Sequence, residues 1–133
     1  MFWLSHHRAG QLERTYAVGS VHLCARCIAT YPVLFAGMAV LFAVRAPLTW
    51  RFDVPFAVAL TLPALADWAL GQFRPAGGSN LRRSLTGALL GVALARTLYV
   101  HVQRPLPPAL VAQLALSLLV AMPVLVFASW RAR

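Results

Sequence analysis

The sequence predicts an all-α polytopic membrane protein: a bundle of four transmembrane helices preceded by a polar N-terminal segment that binds metal. Three observations lead there. Of the 133 residues, 60% are hydrophobic and 11% are charged, against about 45–50% and about 25% in soluble domains. Four stretches each approach the roughly 20 apolar residues that a spanning helix needs. Five Cys and His donors fall in the first 27 residues, ahead of the first apolar stretch.

The N-terminal segment, 1–26, is too polar to enter lipid and too short to build its own core. It has no basic stretch followed by an apolar core and a small-residue cleavage site, so it reads as uncleaved. The first span covers about 27–44, "CIATYPVLFAGMAVLFAV", and stops at Arg45. The second covers about 54–73 and the third about 85–102, with Ser79 or Asn80 capping the helix ahead of it. The fourth covers about 108–130. The connections are short and hold Pro, Gly and Arg. Pro32, Pro55, Pro63 and Pro123 lie in or at the ends of spans, where membrane helices tolerate them with kinks. Residues 27–133 therefore form one transmembrane domain.

Charge orients this bundle. The chain has twelve arginines, no lysine and three acids, Glu13, Asp53 and Asp67. In a hydrophobic chain this excess argues for membrane topology and anionic headgroups, not nucleic acid. Arg8, Arg14, Arg26, Arg74, Arg82, Arg83, Arg131 and Arg133 share one side, and Arg45, Arg51 and Arg104 the other. The positive-inside rule places both termini in the cytoplasm, with the inner membrane of a bacterium as the expected location.

The stretch "HLCARC", residues 22–27, then lies at the cytoplasmic mouth of the first span. Cytosolic thiols stay reduced, which argues against a stable disulfide. A tetrahedral zinc site takes four Cys or His ligands. His7, His22, Cys24 and Cys27 form the expected set, with His6 as the alternative. Thiol–disulfide exchange by Cys24 and Cys27 is a rival reading, and inert packing of two small buried residues is the plain one.

Asp67 lies inside the second span, about two turns from its cytoplasmic end. An ionisable residue at that depth is a functional candidate by default. It is the candidate catalytic acid, base or anchor, and a structural ion pair is the competing role. Asn80, Arg82, Arg83 and Thr86 open the third span at similar depth. They are candidate ligands for an anionic lipid headgroup or a phosphate, favoured by charge and by the helix dipole. Arg96 is too far along the third span to reach Asp67 and is expected to snorkel outward with His101. Gly87 and Gly91 form a small-xxx-small pair suited to close helix packing. Trp50, Trp68, Trp130 and Tyr99 suit interfacial anchoring, and Trp68 is also placed to line a pocket beside Asp67.

Several of these pieces resemble the DUF2085 family of small membrane proteins of uncharacterised function. "CARC" at 24–27 with Tyr31, Asp67 in its span, and Asn80, Arg83, Thr86 and Gly87 within "NLRRSLTG" carry the resemblance. "HH" at 6–7 stands where the family pattern has Cys-His, "RTY" at 14–16 resembles its Arg-Ser-aromatic piece, and Asp67-Trp68 replaces its Asp-Gly. The resemblance implies a metal site of mixed Cys and His ligands and supplies no reaction. The sequence leaves three roles open: a metal-containing site acting on or holding an anion, a structural or assembly protein with purely structural zinc, and a thiol redox protein. It leaves homo-oligomerisation open as well.

Overall fold

The computed structural model describes residues 14–19, 21–73 and 78–131. Strands β1 (Thr15–Val18) and β2 (Val21–Cys24) are followed by four helices: α1 (Cys27–Ala43), α2 (Asp53–Phe73), α3 (Asn80–Gln103) and α4 (Pro108–Arg131). The strands pair antiparallel, Thr15 with Cys24 and Val18 with Val21. The expectation of a polar metal-binding segment did not include this hairpin. Gly19 adopts φ 61° at the turn, a conformation glycine reaches at no steric cost.

The helices otherwise fall where hydrophobicity places them. α2, α3 and α4 are each long and apolar enough to cross a membrane. α1 is apolar but has 17 residues, about 26 Å of helix. α3 starts at Asn80, ahead of its apolar stretch, as the expected Ser79 cap requires: the Ser79 side chain accepts a hydrogen bond from the Arg82 backbone N–H at 3.2 Å. Pro32, Pro63 and Pro123 lie inside α1, α2 and α4.

α3 is the centre of the bundle. α1 and α2 each pack along it, α4 packs mainly on α2, and α1 hardly meets α2. The interior is built from small side chains: Ala57, Ala64, Ala93 and Ala95 are buried, whereas Phe35, Leu118, Leu119 and Phe127 point outward. This is the pattern of helices that associate by close backbone approach while large side chains face lipid.

The seam between α1 and α3 is the tightest part. A Cβ on Gly87 would lie 2.6 Å from the Arg26 carbonyl oxygen, and one on Gly91 2.6 Å from that of Thr30. The Thr30 hydroxyl donates within this seam, with the Gly87 carbonyl at 3.0 Å and its own helix's Arg26 carbonyl at 3.0 Å as acceptors. α1 ends in a Schellman turn: the Ala46 N–H donates to Leu41 O at 3.0 Å and the Arg45 N–H to Phe42 O at 3.2 Å. Arg45 takes the left-handed position at φ 50°, where glycine is usual.

Candidate functional site

Asp67 organises the hairpin end of the bundle. It sits on α2 with its side chain 3% exposed. Two arginines reach it from different elements. Arg26, the residue before α1, donates from Nη2 to Oδ2. Arg82, on the first turn of α3, donates from Nε to Oδ1 at 2.7 Å. A carboxylate at this depth is tolerable only when paired, and here each oxygen has its own guanidinium.

The surroundings are also basic. Arg83 is buried at the start of α3. Its Nη1 donates to Asn80 Oδ1 at 3.2 Å, and it lies within electrostatic reach of Arg14, Arg26, Arg82 and Asp67. Arg14 donates from Nη2 to the Gly71 carbonyl at 2.9 Å. Among the described residues, four guanidiniums thus gather around one carboxylate.

Polar contacts fasten the hairpin to the helix ends. Asn80 Nδ2 donates to the Thr15 carbonyl at 3.1 Å, and the Ser84 hydroxyl donates to the Ala25 carbonyl at 2.8 Å. The Tyr16 hydroxyl is 3.3 Å from that of Ser84. Below the cluster, Arg26, Thr61, Trp68 and Ser117 help to line a cavity of 270 Å³.

Of the sequence candidates, Asp67, Asn80, Arg82 and Arg83 come together. Thr86 does not join them: its hydroxyl donates to the Arg83 carbonyl at 3.1 Å, a bond within its own helix. Arg26 and Arg14, read from sequence only as topology charges, belong to the cluster. The signal for Arg26 was its place one residue before a span, level with the start of the next but one.

The proposed metal ligands are only partly described. His6 and His7 lie outside the described residues. His22 Nδ1 is 3.2 Å from the Thr15 hydroxyl. Among the described residues, no three His, Cys, Asp or Glu side chains are grouped to hold a metal ion, so His22, Cys24 and Cys27 do not form such a group by themselves. No disulfide joins the cysteines, and Cys24 lies within electrostatic reach of Cys27.

A second ion pair lies at the opposite end. Arg96 on α3 grips Asp53, the first residue of α2, through Nε to Oδ1 at 2.7 Å and Nη2 to Oδ2 at 2.9 Å. The expectation that Arg96 would snorkel beside His101 is corrected: Arg96 is buried, and His101 Nδ1 instead accepts from the Leu106 N–H at 3.0 Å. Tyr99 is not an interfacial anchor either. It is buried, and its hydroxyl donates to the Ala46 carbonyl at 2.7 Å. Between the two ends, Gln113 joins three helices, donating to the Thr61 hydroxyl at 2.8 Å and accepting from the Thr97 hydroxyl at 2.9 Å.

A family model described as a predicted membrane protein, DUF2085, matches residues 9–97. The chain belongs to the DUF2085 family. No curated protein and no solved structure matches it. The DUF2085 match takes in the hairpin, Arg26, Asp67, the start of α3 and the Asp53–Arg96 pair, and it ends before Gln113 and α4. Both charged ends of the bundle thus fall inside the family's stretch.

Proposed function

We propose that this DUF2085 protein spans the bacterial inner membrane four times with both termini cytoplasmic. Its hairpin end holds a phosphate-bearing anion, either an anionic lipid headgroup or a soluble phosphate. The observation that carries this reading is that two guanidiniums, from Arg26 and Arg82, share the single carboxylate of Asp67. Arg26 and Arg82 bond to the same carboxylate, Arg14 and Arg83 flank it, and Arg–phosphate contacts are among the stronger charge-assisted hydrogen bonds. The Arg82 side chain is 48% exposed, so it is the arm able to reach an incoming anion. In this reading Asp67 positions Arg26 and Arg82 and keeps them extended when the anion is absent.

The test is anion binding by the detergent-purified protein, measured by titration calorimetry. Inorganic phosphate and short-chain phosphatidic acid are the ligands, with short-chain phosphatidylcholine as the control. Binding of either anion, weakened about tenfold or more in Arg82→Gln, supports the reading, as expected for the loss of one charged hydrogen bond. The phosphatidic acid arm alone identifies a lipid, and both arms together identify the phosphate group. Absence of binding to both anions, or binding indifferent to Arg82→Gln, overturns it.

We also propose that Cys24 and Cys27 are two zinc ligands, completed by His6 and His7. The supporting observation is that the two sulfurs are neighbours where β2 hands over to α1, as two ligands of one tetrahedral site must be. Zinc would close the N-terminal segment onto the hairpin. Elemental mass spectrometry of wild type beside Cys24→Ser/Cys27→Ser checks this. One zinc per chain, lost in the variant, supports it. Metal-free protein whose two thiols cross-link reversibly assigns the pair to redox exchange instead.

A further inference from the structure

The end of the bundle away from the hairpin holds two adjoining cavities that meet at one arginine. The first, 390 Å³, is polar on one wall: Asp53, Arg96 and Arg51 line it, with Trp50 at its edge. The second, 690 Å³, is an apolar groove lined by side chains such as Val33, Val40, Phe56 and Val92. Trp50 and Arg96 line both. The groove exists because α1 and α2 pack on α3 and hardly on each other, leaving Val92, Ala95 and Arg96 of α3 among its walls.

The charges of this end select the occupant. Among the described residues Asp53 is the one acid there, and it is already held by Arg96. Arg45, Arg51 and Arg104 stand in the flanking connections with no further acid. The polar cavity therefore has two guanidiniums and one carboxylate, a balance that suits one negative charge. Asp53 takes Nε and Nη2 of Arg96, and no hydrogen bond from its Nη1 occurs among the described residues. An apolar channel that opens between membrane helices, beside a cationic chamber at the rim, fits an amphiphile with one anionic head and an acyl chain.

We propose that this end binds a glycerophospholipid with a monoanionic phosphodiester head. The head sits against Arg51 and Arg96, and one acyl chain lies in the α1–α2 groove over α3. Asp53 is a positioning residue that fixes the guanidinium of Arg96. The proposal is independent of the hairpin-end reading, since the two sites share no residue.

Native mass spectrometry of the full chain in detergent tests it. The probes are dioleoyl phosphatidylglycerol, dioleoyl phosphatidylcholine and the water-soluble glycerophosphoglycerol head alone. One groove-dependent phosphatidylglycerol per chain is expected, preferred about tenfold or more over phosphatidylcholine, with no binding of the isolated head at the groove. Val40→Trp, at an exposed position on the groove wall, should remove that binding by filling the groove. Val92→Trp is the second variant, used if the first lowers the thermal midpoint. Asp53→Asn/Arg96→Gln, which removes the pair without stranding a charge, should abolish the preference for the anionic lipid. The phosphatidylglycerol that the groove variants remove should persist in Arg82→Gln, whatever the hairpin end holds besides. Equal retention of both lipids, indifference to a folded groove variant, a dimer protecting the groove, or loss of binding in Arg82→Gln each overturns the proposal. The last outcome assigns the lipid to the hairpin end.

Discussion

Replacing Gly87 by alanine tests how the basic cluster is held. The added Cβ meets the Arg26 carbonyl oxygen at 2.6 Å, Arg26 Cγ at 2.9 Å and the Thr30 hydroxyl at 2.9 Å. Relief requires α1 and α3 to part by about 0.8 Å, to reach an ordinary contact of roughly 3.4 Å. The chief obstacle is backbone, so no side-chain rotation removes it. Overpacking of this kind costs about 1–3 kcal/mol, and the gain in helix propensity from Gly to Ala returns about 1 kcal/mol. The upper part of the overpacking range applies, giving a net loss of about 1–2 kcal/mol. The same displacement moves Arg26 relative to Asp67, so anion binding at the hairpin end should weaken along with stability. Gly71→Ala is the control, because its Cβ would meet only the Arg14 guanidinium, at 3.7 Å. It should be neutral or stabilising by up to about 1 kcal/mol. Unfolding of the purified protein in mixed detergent and SDS micelles reads both variants. A Gly87→Ala protein as stable as Gly71→Ala would refute the reasoning about the seam.

The remaining predictions concern single contacts. Asp67→Ala should destabilise by about 2–4 kcal/mol, slightly below the usual loss for a broken buried pair because Arg82 is half exposed, and the additional loss of Arg82 in a double variant should cost little more; SDS unfolding measures both. Arg45→Gly should stabilise by about 1 kcal/mol by relieving the left-handed conformation at φ 50°, visible as a higher thermal midpoint. Gln113→Leu should cost about 1 kcal/mol, since interhelical hydrogen bonds in membranes average roughly 0.6 kcal/mol each and two are lost; a stability equal to wild type would show the network to be dispensable.

The helices were legible because their hydrophobicity is extreme. Expected and observed limits agree to within a residue for α1, α2 and α4, and the Gly87–Gly91 spacing pointed to the seam that the backbone contacts show. The hairpin was missed for a definite reason. "TYAVGSVHLC" alternates on both sides of Gly19-Ser20, the pattern of a two-residue turn, but the His and Cys residues drew the reading toward metal chemistry. The Asp53–Arg96 pair was missed because Asp53 stands on a span boundary and was assigned to the loop. Depth arithmetic would have found it. Asp53 and Asp67 are fourteen residues apart on α2 and Arg96 and Arg82 fourteen apart on α3, so antiparallel helices that match one pair match both. The grouping of Asp67 with Arg26 was less accessible, since it depends on the hairpin turning the chain back over the ends of α2 and α3.

Those equal spacings give the bundle a mechanical property. α2 is pinned to α3 by an ion pair near each of its ends, about 21 Å apart along the axis. Sliding one helix past the other stretches both pins at once, and breaking either alone leaves the register held by the second. α1 is keyed to the same axis by the glycine seam. Among the described residues α4 has no ion pair to a neighbouring helix; Gln113, bonded to Thr61 and Thr97, is a neutral tie in its place. Shifting α4 therefore breaks neutral hydrogen bonds at one residue, whereas shifting α2 along α3 breaks two ion pairs.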